Sequence, residues 1–333
     1  MSQMKDELKR ARVHYPVRPD SLEIFLRYRD HRRSVRKVAT AIFAFGVGIA
    51  AIGVALASLT APAEKGLHVG AQPIAEGPGR IVFSRWSAGE WKLFSMRPDG
   101  TGEERITDGS RDFYADVSPD GSRIVADTEL PGTDGLLVEN LDGTHRATFA
   151  VGEAFDPAWS PDGRKIAFAL DSGQPGCCLT LWVMSADGTD LARLGEVRGS
   201  NPTWSPDGTR LAFLLSGEDL EAATRVAIMD ADGSDVTVIS EPGWWGEPSW
   251  SPDGPSILTS RDRGLTDGDL LTIGLDRRVR VLATLPILGG ADWSPDGTQI
   301  AYVSDGRVWV MDADGSDAHP ITERGEIDNP TWG

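Results

Sequence analysis

The chain has 333 residues, 40% hydrophobic and 25% charged, a balance that excludes a disordered polymer and supports a packed core. Its formal net charge of −17 excludes a surface built to hold nucleic-acid phosphates, and no nucleic-acid partner is expected. The two cysteines, adjacent at Cys177 and Cys178, exclude a disulfide framework that ties distant parts of one chain together.

Charge is unevenly spread. Residues 1–37 carry eleven Lys/Arg against five Asp/Glu, residues 38–63 carry no charge, and the remaining 270 carry 22 basic against 45 acidic groups. The basic leader (1–37) is expected on the cytoplasmic side of a membrane. The run from Val38 to Leu59 is long enough for one spanning helix, which needs about 20 residues, and 38–60 is read as that helix. Arg32, Arg33, Arg36 and Lys37 stand directly before it, so the positive-inside rule places the N-terminus in the cytoplasm and the rest outside. Cleavage as a signal peptide at Ala61-Pro-Ala63 is the rival reading, although the leader is long for that purpose. Residues 61–79, rich in Pro, Gly and Ala, read as a flexible tether.

From residue 80 onward the chain repeats itself. Val117-Ser-Pro-Asp-Gly121, Trp159-Ser-Pro-Asp-Gly163, Trp204-Ser-Pro-Asp-Gly208, Trp250-Ser-Pro-Asp-Gly254 and Trp293-Ser-Pro-Asp-Gly297 recur at steps of 42, 45, 46 and 43 residues. Pro presets φ at the first central turn position, Asp tolerates the second, and Gly supplies the positive φ of a bulged hairpin. Each turn leads into a short strand: Arg123–Ala126, Lys165–Phe168, Arg210–Phe213, Ser256–Thr259 and Gln299–Tyr302. A second strand follows, as in Leu181–Met184, Val226–Met229 and Val308–Met311, and ends at a Gly turn such as Ala186-Asp-Gly188, Ala231-Asp-Gly233 or Ala313-Asp-Gly315. A last strand, such as Val236–Ile239 or Pro320–Thr322, leads to the next copy. Four strands in a repeat of about 40 residues predict propeller blades, and the class is all-β.

The ends predict how the array closes. Arg80-Ile-Val-Phe83 matches the strand after Ser-Pro-Asp-Gly but lacks a Trp strand before it, while Asn329-Pro-Thr-Trp332 supplies one at the far end. One blade built from both termini would leave no open edge, giving six blades over 80–333. These motifs resemble the TolB-type propeller repeat, whose signature is Pro-x-Trp-Ser-Pro-Asp-Gly followed by a Lys/Arg-Ile-Ala-Phe strand. The same blade grammar occurs in propellers of prolyl oligopeptidase and dipeptidyl peptidase relatives. Departures are Val117 in place of Trp and the sequence Asp276-Arg-Arg278 in place of an Asp-Gly turn. The resemblance implies a bacterial envelope protein, here single-pass in the cytoplasmic membrane with its propeller outside the cytoplasm. The soluble periplasmic founder of the family partners lipoprotein and translocation machinery, and the anchor departs from that pattern.

Catalytic constellations are scarce. Of five histidines, His14 and His31 precede the apolar run, and His68, His145 and His319 are scattered, which makes neither a metal cluster nor a base beside a nucleophile. No cofactor or metal is expected. Asp230-Ala-Asp-Gly-Ser-Asp235 and Asp312-Ala-Asp-Gly-Ser-Asp317 lack the distal Glu of a calcium loop and read as hairpin turns. Trp159, Trp204, Trp250, Trp293 and Trp332 share one repeat position and read as packing between blades. Trp244 and Trp245 fall outside the repeat, and adjacent side chains of an extended loop point opposite ways; one is a candidate contact residue on a propeller face. Ahead of the Trp strands lie Tyr114, Asp156, Asn201, Glu247, Gly290 and Asn329, with Asp116, Asp292 and Asp328 beside them. In a propeller these would ring the mouth of the central channel and hold a cation or the basic end of a peptide, the plainer reading being a hydrated channel. Cys177 and Cys178 either close a vicinal disulfide or stay reduced. The function expected is non-catalytic recognition of a protein, peptide or envelope component. A sensor signalling through residues 1–37 and a propeller lyase or hydrolase using the acidic mouth are the alternatives.

Overall fold

A computed structural model describes residues 79–333 apart from 88, 108–110, 131–132, 172–178, 217–222, 264–266 and 287. The leader (1–37), the apolar run (38–60), nearly all of the tether (61–78), and Cys177 and Cys178 lie outside the described residues. Among those described, the regular structure is entirely β.

The strands follow the repeat. β1 (Ile81–Ser87), β2 (Glu90–Met96) and β3 (Glu104–Arg105) are followed by β4 (Arg111–Val117), β5 (Arg123–Leu130), β6 (Thr133–Asn140) and β7 (Ala147–Phe149). Next come β8 (Ala154–Trp159), β9 (Lys165–Asp171), β10 (Leu179–Ser185), the long β11 (Ala192–Trp204), β12 (Arg210–Leu215), β13 (Arg225–Asp230) and β14 (Thr237–Val238). The remainder are β15 (Ser249–Trp250), β16 (Ser256–Asp262), β17 (Gly268–Gly274), β18 (Val279–Leu285), β19 (Leu288–Trp293), β20 (Gln299–Ser304), β21 (Arg307–Asp312), β22 (His319–Pro320) and β23 (Ile327–Trp332). Four sheets have four strands each, ordered β23-β1-β2-β3, β4-β5-β6-β7, β15-β16-β17-β18 and β19-β20-β21-β22. A fifth sheet runs β14-β13-β12-β11-β10-β9-β8, because β11 pairs with β10 through its first half and with β12 through its second.

The Ser-Pro-Asp-Gly turns adopt the expected bulged hairpin. Gly121 sits at φ 67°, its N–H donates to the Ser118 carbonyl at 2.8 Å, and the Ser118 N–H donates to the Arg123 carbonyl at 2.8 Å. Ser118 Oγ donates to Asp120 Oδ1 at 2.6 Å and accepts the Arg123 N–H at 2.9 Å, which pins the turn onto the strand that follows. Outer strands are shorter or shifted relative to the sequence reading. Thr237–Val238 forms where Val236–Ile239 was expected, and His319–Pro320 where Pro320–Thr322 was expected. With a partner on one side only, such strands are held by few ladder bonds.

The two ends of the described chain pair with each other. β23 runs antiparallel to β1 with Ile81 opposite Trp332 and Arg85 opposite Ile327, and the Arg80 N–H donates to the Gly333 carbonyl at 2.6 Å. The innermost strands succeed one another around an axis, β4 beside β8, β8 beside β11, β11 beside β15, β15 beside β19, β19 beside β23, and β23 beside β4.

The core lies between sheets. Trp159 shares an apolar cluster with Val125 and Val138 of the preceding sheet. Trp250 does so with Ala212 and Leu214, Trp293 with Leu258 and Leu270, and Trp332 with Ala301 and Val303. Val117 takes the same place against Val82 and Leu93. An aromatic of this size buries ~150–250 Å², which at ~25 cal/mol per Å² amounts to roughly 4–6 kcal/mol of transfer free energy per seam. Trp332→Ala is therefore expected to lower unfolding free energy by about 3–5 kcal/mol, whereas Trp244→Ala, whose side chain is 58% exposed, should change it by no more than about 0.5 kcal/mol. Denaturant titration of both variants checks the pair, and equal losses would contradict the seam assignment.

Candidate functional site at the channel mouth

Five innermost strands break register just ahead of the Trp position, β23 among them between Asp328 and Thr331. The shift lies between Phe113 and Asp116 in β4, Phe155 and Ala158 in β8, Ser200 and Thr203 in β11, and Leu288 and Ala291 in β19. At four of these bulges the backbone turns left-handed, with φ of 40° at Tyr114, 54° at Asp156, 53° at Asn201 and 47° at Asn329. Asp and Asn tolerate that conformation because their short polar side chains bond locally. Pro157, Pro202 and Pro330 follow, at a place where a missing N–H does no harm to the ladder. The Asp/Asn-Pro-x-Trp phrase is thus first a bulge device, and Tyr114 holds the same conformation with a bulky ring that disfavours it.

The residues form two tiers. In the outer one the Asn201 N–H donates to Asp156 Oδ2 at 3.3 Å. With its amide oriented to satisfy both groups, Asn329 donates from Nδ2 to Glu247 Oε1 at 2.9 Å and Oε2 at 3.2 Å. Gly290 lies against this pair, since a Cβ there would come 3.0 Å from Glu247 Oε2 and 3.2 Å from Asn329 Cα. Asp328 accepts the Asn329 N–H at 3.0 Å. Asp156 and Asn201 thus join neighbouring innermost strands, whereas Glu247 and Asn329 meet across Gly290 of the strand between them, and Asp328 bonds within its own strand.

The inner tier is made by residues immediately before the Trp position. Asp116 Oδ2 accepts the Trp159 N–H at 2.6 Å, and Asp292 Oδ2 accepts the Trp332 N–H at 2.9 Å. Each carboxylate therefore ties its own strand to the next one around the ring. Ser249 Oγ donates to Asp292 Oδ1 at 2.5 Å. Thr331 Oγ1 stands between the two acids, 3.3 Å from Asp116 Oδ1 and 3.2 Å from Asp292 Oδ2. Sequence reasoning singled out Asp116 and Asp292 but missed Thr331 and Ser249; their shared place one residue before Trp was the available signal. Among the described residues no group of three or more His, Cys, Asp or Glu is placed to hold a metal ion.

Burial governs the electrostatics. Desolvation pushes the Asp116 carboxyl up to about 7, with the Asp292 charge adding to the rise against the Trp159 N–H, which lowers it. Desolvation also raises Asp292 and Asp328. Asp207 in its turn goes the other way: hydrogen bonds from Ser205 and Thr209 bring it down to about 2.

Trp244 and Trp245 divide as an extended pair must. Trp245 is buried, donates from Nε1 to the Glu241 carbonyl at 2.9 Å, and carries the Arg261 guanidinium 5.5 Å over its ring. Trp244 stands exposed, three residues ahead of Glu247 on the segment that leads into the innermost strand.

The sequence profile described as the TolB beta propeller domain matches residues 115–290. The chain belongs to this family. Among its relatives are the Tol-Pal system protein TolB of Anaeromyxobacter dehalogenans strain 2CP-C, 39% identical over 100 residues, and that of Anaeromyxobacter sp. strain K, 38% identical over 100 residues. Each match covers 28% of this chain and 23% of the relative, so it spans less than a quarter of the relatives' length. Among solved structures, TolB from Acinetobacter baumannii superposes with a TM-score of 0.64 at 18% identity, over 76% of this chain and 66% of that one. A chain of the nidogen/laminin complex superposes with a TM-score of 0.60 at 13% identity, over 76% of this chain and 97% of that one. At these identities the structural likeness speaks for the TolB-like propeller fold alone.

The raised acids set a pH dependence. An Asp that titrates near 3.9 when unfolded and near 7 when folded holds a proton between those values only in the folded state. Stability is then greatest below the unfolded value and is lost as pH rises toward the folded one. Asp207 acts oppositely, its contribution vanishing as pH falls toward 2. Between about pH 5 and 7.5 the melting temperature should fall. Asp116→Asn, which keeps an acceptor for the Trp159 N–H, should flatten that slope, with Asp292 leaving a remainder. Thermal melts across this range check it, and an unaltered slope in the variant counts against the assignment.

Proposed function

We propose that the protein is a membrane-anchored, six-bladed TolB-like propeller that recognises a protein, peptide or envelope component at its channel mouth without catalysis. Residues 1–37 form its cytoplasmic leader, 38–60 its transmembrane helix and 61–79 its tether, which places the propeller of residues 80–333 outside the cytoplasm of a bacterium. The sheet closed by β1 and β23, together with the division of the long sheet at β11, supports the six-blade reading. Relatives named for the Tol-Pal system support an envelope setting.

One observation carries the site: an exposed Trp244 stands on the same approach as Glu247, whose carboxylate faces Asn329. An amphipathic ring at the rim and carboxylates behind it suit a partner that offers an apolar side chain followed by a basic group. Asp116 and Asp292 serve differently, because their oxygens are occupied by the hydrogen bonds that hold the ring.

Crosslinking the full protein in its native membrane, followed by mass spectrometry of captured partners, tests this reading. Trp244→Ala combined with Glu247→Gln disturbs no left-handed residue and is expected to abolish capture while the melting temperature holds. Unchanged capture by the double variant would rule out the mouth as the binding site.

A further inference from the structure

The hairpin that joins the third strand of a blade to its outermost strand has one hydrogen-bond pattern throughout. The Gly233 N–H donates to the Asp230 carbonyl at 2.8 Å and the Gly315 N–H to the Asp312 carbonyl at 2.9 Å. The Ser234 and Ser316 N–H groups each donate 2.9 Å to Oδ1 of Asp232 and Asp314. Glycine occupies this place at Gly100, Gly143, Gly188, Gly233 and Gly315, always with positive φ. It does so for a reason of space as well as φ. A Cβ on Gly315 would come 2.6 Å from the Leu282 carbonyl oxygen, and one on Gly233 would come 2.7 Å from the Leu194 carbonyl carbon. Each glycine turn is pressed against the outermost strand of the preceding blade and seals the outer seam between them.

The turn between β17 and β18 keeps the pattern and breaks the rule. Arg277 donates its N–H to the Gly274 carbonyl at 2.7 Å, and the Arg278 N–H donates to Asp276 Oδ1 at 3.0 Å, so Arg277 stands where the other turns have glycine. It holds φ 66°, a conformation that costs a large L-residue and that the surrounding bonds impose. At this seam lies a groove of about 540 Å³, lined by Val236–Glu241 of the preceding blade with Trp245, Arg261, Arg277 and Val279. That size is within the range of ~300–1,000 Å³ usual for ligand sites.

The groove mixes apolar and polar side chains in about equal measure and has a basic edge. Val236 and Val279 line it and are 39% and 51% exposed, and Val281 beside them is 49% exposed. Arg277, Arg278 and Arg280 cluster at the turn and on β18, in a segment (64–333) holding 45 acidic against 22 basic groups. Arg278 pairs with exposed Asp276 at 3.3 Å and Arg280 donates to the Asp314 carbonyl at 3.2 Å, while among the described residues Arg277 forms no ion pair. Glu241 is the one carboxylate of the lining against Arg261 and Arg277.

We propose that this open seam is a second docking site, separate from the channel mouth, for an extended segment of a partner protein with alternating acidic and apolar side chains. Its apolar side chains lie between Val236 and Val279, and its carboxylates meet Arg277 and its neighbours. Charge complementarity selects the occupant: the domain is acidic overall, and this cluster of arginines offers carboxylates a counter-charge.

Arg277→Gly tests the proposal, because it restores the turn found at the other seams and removes both the strain and the charge. The probe is a fluorescein-labelled heptapeptide of alternating Glu and Val, titrated with the full chain and read by anisotropy, against the same peptide with Lys for Glu. The parent protein should bind the Glu peptide and not the Lys peptide. Arg277→Gly should weaken that binding about tenfold or more, as expected for loss of a charge-assisted hydrogen bond, with a melting temperature equal to or above the parent's. Trp244→Ala with Glu247→Gln should leave it unchanged. Failure of the parent to prefer the Glu peptide, equal binding by Arg277→Gly, or loss of binding in the channel-mouth variant would each overturn the proposal.

Discussion

The structure depends on the burial of one large side chain of each blade against the blade before it. No four-stranded sheet here has a core of its own; the apolar clusters straddle neighbours, with Trp159, Trp250, Trp293 and Trp332 at the joints. An array built this way has an unsatisfied face at each end unless its ends meet. Pairing of β23 with β1 removes both faces at once, and every inner-strand feature of the site follows from the ring that results.

Packing these strands around an axis requires them to bend, and the bulges ahead of the Trp position in β4, β8, β11, β19 and β23 provide the bend. It also decides the residues. A left-handed position favours Asn or Asp, which brings polar groups onto the innermost strands whether or not anything binds there. One residue before the Trp position, Asp116 and Asp292 cross to the next strand and accept its backbone N–H. The ring is thus locked on its inside by buried acids and on its outside by glycine turns pressed against neighbouring strands. The seam at Arg277 is the exception on the outside, and Trp244 is the exposed aromatic on the approach to the inside.

Much of this was legible in the sequence because it is local. Ser-Pro-Asp-Gly specifies its own turn, and the recurrence of Trp at one offset specifies the joints. The orphan strand at Arg80–Phe83 and the surplus one at Asn329–Trp332 pointed to closure. Other features were hidden because they need the closed ring. Thr331 meets Asp116 across 215 positions of sequence, and nothing local marks either as a partner. Asp156, Asn201 and Asn329 read as channel charge and polarity, yet the backbone conformation accounts for their identity. The sequence Asp276-Arg-Arg278 was visible as a departure, but the groove it leaves depends on the neighbouring blade. Outer strands were placed approximately, since one-sided pairing leaves their extent to a few hydrogen bonds.

Native-state hydrogen exchange of the Trp332 amide, compared with the Trp159 and Trp293 amides, tests the closure most directly. All three belong to innermost strands, and the Trp332 amide sits in the pair that joins the two ends. If closure makes the ring one cooperative unit, the three amides should exchange with the same free energy, that of global unfolding. Much earlier exchange at Trp332, with Trp159 and Trp293 still protected, would show that the joined blade opens by itself and would contradict the account.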